Sequence, residues 1–274
     1  MAPATEAKPE TEVVYGRKAV LALLEHRPGD ALRLHFSGSQ AGELGRIVGL
    51  ARRLGLPCQV MEDRGLEKVA CSLHHEGVVL VCKPRVFMGP HELSAALASE
   101  RPCLIVALEE ITNPHNIGAI VRSAAFFGVH GLSIVPKSGE RPLPPSAVRI
   151  AEGGAEQVRI AVIRDLPGWL RLMRAEGFEV IVANPKGGQN AALFPWPSRA
   201  ILVLGNEAQG VSSAVQKCAT KAISIVGSGR VDSLNVSVAS GVLFAFWRHS
   251  TGHIARPKKG GRAHLGPHPS QFRS

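Results

Sequence analysis

The feature that most constrains the fold is an apolar run at residues 104–108 that leads, within a few residues, into an Asn-Pro step. A run of this length and composition predicts a buried β-strand. The apolar residues that follow the step recur at the spacing of one helical face: Ile117, Ile120, Val121 and Ala124. At about 140° from Ile117 around a helix, Arg122 points away from that face. The segment therefore predicts a strand, a polar turn and a helix that carries one arginine outside the core, although a plain α/β crossover fits it as well.

Two later segments repeat this arrangement. Residues 200–204 form an uninterrupted apolar run that leads into the polar and glycine-containing residues 205–210. Residues 223–226 lead through a glycine-rich turn into residues 232–240. Open α/β sheets bind ligands at the carboxyl ends of their strands, where polar residues of this kind would lie. The three junctions together predict an α/β fold with one site at that edge.

These three segments, in this order, resemble the three motifs of the SpoU family of RNA ribose methyltransferases, part of the SPOUT class. The resemblance covers about residues 102–250 and implies a parallel sheet with a C-terminal trefoil knot. It also implies S-adenosylmethionine as the cofactor, held largely by backbone groups at Gly205, Ile225 and Leu234. From the sequence pattern alone, ordinary core packing would explain Ile225 and Leu234 equally well.

The resemblance further implies four catalytic side chains, Asn116, Arg122, Glu207 and Asn235, with Ser233 as a fifth. Each has a structural alternative. Asn116 and Ser233 could cap helices, Glu207 could be a solvated carboxylate, and Arg122 could be a surface charge. Because arginine has a pKa above about 12, we expect Arg122 to stabilise negative charge on the attacking 2′-oxygen, or to bind a neighbouring phosphate, rather than act as a base.

The chain departs from the family pattern before the third motif. Residues 225–227 are Ile-Val-Gly, where the family commonly has Ile-Pro-Met. Proline and methionine shape the cofactor loop in the family, so the substitution calls the rigidity of this loop into question. The positions implied to be catalytic are intact.

The first part of the chain predicts a separate small α/β/α domain. We expect a helix over 15–24, strands at 32–36, 57–60 and 78–82, and a second helix over 44–54. The Gly-Arg-Lys-x-Val helix and the His-x-Gly before the last strand resemble the RNA-binding domain that precedes many SpoU catalytic domains. The predicted boundaries are a disordered tail at 1–12, an RNA-binding domain at 13–85, a linker at 86–101, a catalytic domain at 102–256 and a basic flexible tail at 257–274.

Composition narrows the function classes. A formal charge of +10 and a pI near 9.8 favour a polyanionic partner, and aromatic residues at 5% disfavour binding by base stacking. The chain has no P-loop motif and no complete dinucleotide-binding motif. Its five cysteines lack metal-binding spacing, which predicts free thiols and no metal site. With no secretory signal and no apolar run near the ~20 residues of a membrane span, we expect a cytoplasmic protein.

The sequence therefore predicts a homodimeric, S-adenosylmethionine-dependent enzyme that methylates a ribose 2′-hydroxyl in RNA. Ribosomal RNA is the expected substrate, because the resemblance extends to family members with the added domain that act on 23S ribosomal RNA. Two alternatives remain open at this stage. One is a transfer-RNA methyltransferase of the same family, and the other is a non-catalytic RNA-binding protein that keeps the fold. Titration with S-adenosylmethionine separates the enzyme from the scaffold.

Overall fold

The structure is a computed structural model that describes residues 11–136, 140–185, 187–206 and 209–252. Both predicted tails lie largely outside these ranges, the first except for residues 11 and 12 and the second entirely. Within the described ranges the chain forms two sheets flanked by helices. The smaller sheet belongs to the N-terminal part of the chain and the larger one to the remainder.

The smaller sheet has the order β1-β4-β2-β3. Its strands are β1 (Glu12–Tyr15), β2 (Ala31–Ser37), β3 (Cys58–Met61) and β4 (Val78–Cys82). Strand β4 runs antiparallel to both β1 and β2, whereas β2 and β3 are parallel. The helices of this part are α1 (Arg17–His26), α2 (Gly45–Arg53) and α3 (Asp63–Ala70).

The larger sheet is parallel throughout the described residues, with the order β7-β6-β5-β10-β8-β11-β9. Its strands are β5 (Cys103–Glu109), β6 (Gly131–Val135), β7 (Arg159–Val162), β8 (Glu179–Ala183), β9 (Gln189–Asn190), β10 (Arg199–Leu204) and β11 (Lys221–Ser224). The accompanying helices are α4 (Pro90–Ala96), α5 (Pro114–Phe127), α6 (Pro145–Ile150), α7 (Leu166–Ala175), α8 (Ser213–Gln216) and α9 (Val236–Ser250). This confirms the predicted α/β fold with a parallel sheet.

Strand β5 is buried on both faces, which explains its continuous apolar sequence. Alternate residues of β5, among them Leu104 and Val106, pack with α5 and α9. The intervening residues, among them Ile105, pack with α4 and α7 on the opposite face. The first face continues without a break into the core of the smaller sheet. The two parts of the chain therefore share one hydrophobic core.

Charged side chains also join the two parts. Glu156, in the turn that precedes β7, has a side chain only 3% exposed and lies 2.9 Å from Nε of Arg27, which ends α1. Its other carboxylate oxygen pairs with Arg85, whose Nη1 also donates to the carbonyl of Ala155 at 3.0 Å. Because two cations share one buried carboxylate, this contact fixes the smaller sheet against the larger one.

Three local features differ from the sequence predictions. The segment predicted to link the two domains is part of the core, because Leu93 in its helix α4 and Leu97 just after that helix are buried against the larger sheet. Glu12, predicted to belong to the tail, pairs with Cys82 as the first residue of β1. The first helix begins at Arg17 rather than residue 15, because Gly16 adopts a φ of 90° and turns the chain out of β1.

The described cysteines are all free thiols, with Cys82, Cys103 and Cys218 buried, Cys58 half-buried and Cys71 exposed. None of the described helices combines the length and apolar character needed to cross a bilayer. The strand order does not by itself define how the chain is threaded, so the trefoil knot stays a prediction.

We predict that Glu156→Gln lowers the free energy of unfolding by about 3 kcal/mol, because Arg27 and Arg85 would lose the charge they share in a largely buried setting. The matched control is Glu25→Gln, which breaks the exposed pair with Arg46 and should cost less than about 1 kcal/mol. Urea unfolding of both variants measures the difference. Equal losses would contradict a structural role for the buried carboxylate.

Candidate active site

The three polar junctions predicted from the sequence meet at one edge of the larger sheet. Strands β5 and β10 are adjacent and paired in register from Cys103–Arg199 to Leu108–Leu204, so both end at the same level. Strand β8 separates β10 from β11. The loops that follow β5, β10 and β11 therefore leave the carboxyl ends of a continuous group of strands, where α/β sheets bind ligands.

The first junction places Asn116 in the first turn of α5, where it is buried, rather than at the N-cap. The N-cap of α5 is Asn113, whose Oδ1 accepts a hydrogen bond from the backbone N–H of His115 at 2.9 Å. Pro114 occupies the first helical position, where its missing N–H costs nothing. Asn116 is only 8% exposed, so the capping alternative for this residue is wrong.

Asn235 connects the third junction to the first. Its Nδ2 donates to Oδ1 of Asn116 at 3.1 Å. Its Oδ1 caps α9 by accepting hydrogen bonds from the backbone N–H and the hydroxyl of Ser237, at 2.9 and 2.6 Å. The capping alternative for Ser233 is therefore wrong as well, and Ser233 lies exposed in the preceding loop. One amide group thus orients α9 and holds Asn116.

Arg122 lies six residues beyond Asn116 on α5, about 9 Å along the helix axis. Its side chain is 56% exposed, as the helical pattern predicts, and one guanidinium nitrogen lies 2.9 Å from Oε2 of Glu152. The same carboxylate oxygen accepts a hydrogen bond from Lys18 of α1 at 2.6 Å. The hydrogen bond from Lys18 and the charge of Arg122 hold the pKa of Glu152 below its ordinary value, so this carboxylate is ionised at neutral pH.

The second junction folds back tightly on itself. A Cβ added to Gly205 would lie 2.3 Å from the backbone carbon of Gly210 and 2.4 Å from the nitrogen of Val211. The backbone N–H of Gly210 donates to the carbonyl of Asn206 at 2.8 Å and closes the loop. Glycine is therefore required at 205 by the chain's own loop, and not by an unusual φ. The predicted catalytic residue Glu207 lies outside the described residues.

Two polar residues that the sequence analysis missed hold this loop against the first junction. Nδ2 of Asn206 donates to the carbonyl of Glu110 at 3.0 Å. The carboxylate of Glu109, which is 9% exposed, accepts a hydrogen bond from the backbone N–H of Ser212 at 2.9 Å. The sequence does indicate a role for Glu109, because it is a carboxylate at the end of an otherwise apolar strand.

The predicted cofactor residues of the third junction differ in burial. Ile225 is half-buried and packs against the core, whereas Leu234 is 45% exposed. Core packing therefore does not explain Leu234. Val226 is 68% exposed, and a Cβ added to Gly227 would meet no atom within 4 Å. The loop that leads into α9 thus presents apolar side chains and bare backbone at the edge of the sheet.

A cysteine nucleophile and a metal site find less support in the described ranges. Burial raises the pKa of Cys82 and that of Cys103 to about 11, so both remain protonated at neutral pH and are poor nucleophiles. Among residues 11–136, 140–185, 187–206 and 209–252, no three His, Cys, Asp or Glu side chains are grouped to hold a metal ion. What the site offers is amide groups, a cation and accessible backbone.

Comparison with known proteins agrees with this arrangement. The family model described as the SpoU rRNA methylase family matches residues 103–245. A second model, described as RNA 2′-O ribose methyltransferase substrate binding, matches residues 13–88. The chain is 32% identical to the 23S rRNA (guanosine-2′-O-)-methyltransferase RlmB of Acinetobacter baylyi, over 86% of this chain and 95% of that protein.

Solved structures share the fold. The SpoU methyltransferase AviRb from Streptomyces viridochromogenes, in complex with the cofactor AdoMet, superposes with a TM-score of 0.69 at 23% identity, covering 87% of this chain and 89% of that one. A TrmH/SpoU tRNA modifying enzyme from A. aeolicus has a TM-score of 0.51 at 28% identity. The superposition covers 81% of the A. aeolicus chain but only 59% of this one.

We predict that Asn235→Ala lowers the free energy of unfolding by about 1–2 kcal/mol, because α9 loses its N-cap and Asn116 loses a buried hydrogen bond. Asn235→Ser is the matched control, since serine also caps helices but is too short to hold Asn116. Thermal unfolding should rank the wild type above the serine variant and the serine variant above the alanine variant. Indistinguishable melting of the two variants would contradict the capping role.

Proposed function

Because the chain belongs to the SpoU rRNA methylase family, we propose that it transfers the methyl group of S-adenosylmethionine to a ribose 2′-hydroxyl of ribosomal RNA. The observation that carries the proposal is the hydrogen bond between Asn235 and Asn116, which joins two of the three family motifs beside the helix that bears Arg122. This contact supports a common site for the residues of those two motifs.

The loops at this edge suit S-adenosylmethionine. At the end of β10 the turn packs the backbone of Gly210 and Val211 against Gly205, and the exposed side chain of Leu234 can contact an adenosine. We assign Gly205, Ile225 and Leu234 to cofactor binding. When bound, the cofactor supplies a sulfonium methyl group that a nucleophile can attack without a metal ion.

The chain's own groups would act on the RNA. As the 2′-oxygen bonded to the methyl carbon, the carbon–sulfur bond would break and leave a neutral thioether. The hydroxyl proton would pass to solvent or to a nearby acceptor, and negative charge would develop on that oxygen. The exposed guanidinium of Arg122 can stabilise this charge or bind an adjacent phosphate. Asn116 and Asn235 orient the ribose or the loop backbone, and we propose the same for Glu207 and Ser233.

The N-terminal part of the chain supports RNA as the partner. The substrate-binding family model spans it, and its helix α2 ends in exposed Arg52 and Arg53, which can neutralise phosphates. Ribosomal RNA is favoured over transfer RNA because the relative named for 23S rRNA matches across both parts of the chain, whereas the tRNA modifying enzyme matches 59% of it.

Assembly as a homodimer is part of the same proposal. Phe126 on α5 is 82% exposed and Val238 on α9 is 53% exposed, although these two helices pack against each other. Apolar side chains on the outer surface of such a helix pair are suited to burial against a second copy. A C-terminal trefoil knot and a cytoplasmic location remain predictions of the sequence.

We predict that Arg122→Ala lowers the rate of methyl transfer to ribosomal RNA at least about 100-fold, as expected for the loss of one charge-stabilising group. Affinity for S-adenosylmethionine should stay near that of the wild type, because Arg122 lies outside the cofactor loops. Incorporation of labelled methyl groups and calorimetric titration measure the two quantities.

Arg101→Ala is the matched control, because Arg101 is exposed just before β5, at the amino ends of the strands and therefore at the opposite edge of the sheet from the three junctions. This variant should methylate at the wild-type rate. Near-normal turnover by Arg122→Ala would contradict the assignment of Arg122. A wild-type protein that methylates transfer RNA but not ribosomal RNA would favour the alternative substrate.

A further inference from the structure

The turn that follows α6 lies between α1 and α5 and is tightly packed against both. A Cβ added to Gly153 would lie 3.0 Å from Cβ of Ala22 on α1. A Cβ added to Gly154 would lie 3.2 Å from Cα of Arg122 on α5. The turn therefore has little freedom to move relative to either helix.

Glu152 is held in this turn with an unusual backbone conformation. Its φ is 47°, in the left-handed region that side chains other than glycine and asparagine rarely adopt. Strained residues of this kind persist where the surrounding structure fixes them, and they are concentrated at functional sites. This backbone conformation places the carboxylate of Glu152 between the N-terminal part of the chain and the helix that carries Arg122.

One oxygen of Glu152 contacts two cations from different parts of the chain. Oε2 lies 2.9 Å from a guanidinium nitrogen of Arg122 and 2.6 Å from Nζ of Lys18. The three side chains are 56%, 67% and 32% exposed for Arg122, Lys18 and Glu152 respectively. Exposed ion pairs contribute little to folding stability, so the effect of this group has to be sought elsewhere.

We propose that Glu152 positions Arg122 for methyl transfer and that Lys18 supports it, so that the N-terminal domain acts on the catalytic arginine through Glu152. The inference rests on the proposed function. An exposed arginine samples many rotamers, and a carboxylate at 2.9 Å restricts them. The guanidinium has five N–H donors, so donors beyond those used by Glu152 are available for the RNA.

Lys18 also offsets the negative charge that Glu152 brings next to Arg122. A carboxylate beside the arginine would by itself cancel the positive charge that stabilises the 2′-oxygen. With Lys18 included, two cations and one anion leave a net charge of +1 beside the site. The N-terminal domain thus supplies the charge that allows Glu152 to orient Arg122 without neutralising it.

The test is Glu152→Gln in the full-length protein, assayed by transfer of labelled methyl groups to ribosomal RNA. We expect kcat to fall about tenfold, within the range measured for directly coupled residues. KM for the RNA and affinity for S-adenosylmethionine should change little, and Glu152→Asp should recover part of the rate. Lys18→Met should lower kcat less than Glu152→Gln does.

A second arm separates positioning from a merely structural role. In the Arg122→Ala background, Glu152→Gln should have no further effect, because its partner is already absent. Glu76→Gln is the matched control. Glu76 also has a positive φ, of 54°, and contacts Arg149 of the other domain at 3.6 Å, but it does not touch Arg122. This variant should keep the wild-type kcat.

The outcomes distinguish the inference from the function on which it rests. A wild-type protein that transfers no methyl group to RNA would overturn both. An active wild type with Glu152→Gln at full kcat would overturn the inference alone. The same holds if Glu152→Gln and Arg122→Ala lower the rate independently, or if Glu76→Gln lowers kcat as much as Glu152→Gln.

Discussion

The parallel pairing of β5 with β10 is the constraint on which the site depends. The two strands are aligned over six residues, from Cys103–Arg199 to Leu108–Leu204, and both are fully buried. Because they end at the same level, the polar residues that follow them must share one edge. Two hydrogen bonds then complete the edge, from Asn206 to the carbonyl of Glu110 and from the backbone N–H of Ser212 to the carboxylate of Glu109.

Two carboxylates, each in contact with two cations, link the two parts of the chain. Glu156 pairs with two arginines in a buried position and fixes the domains, whereas Glu152, a few residues earlier, binds two cations at the surface. The buried carboxylate serves stability, because a charge left alone there would be costly. The exposed carboxylate contributes little stability and is available to orient Arg122. One turn thus connects domain packing to the proposed catalytic arginine.

Much of the fold could be predicted from the sequence, because buried parallel strands require continuous apolar runs and α5 shows a clear helical period. Arg122 was predicted outside the core for the same reason. The N-cap of α5 was missed, although Pro114 at the first helical position indicated Asn113. The contacts of Glu152 could not be predicted, since Lys18, Arg122 and Glu152 are far apart in sequence and meet only through packing. Gly205 was predicted only to offer its backbone to the cofactor; the backbone of Gly210, which leaves no room for a side chain at 205, appears only in three dimensions.

We propose that the chain methylates a ribose 2′-hydroxyl in ribosomal RNA through Arg122. The decisive measurement is a map of 2′-O-methylation across total RNA from cells with the gene, without it, and with Arg122→Ala in its place. We expect that a methylated ribosomal nucleotide is lost without the gene and is not restored by Arg122→Ala. Unchanged methylation of ribosomal RNA in all three would contradict it.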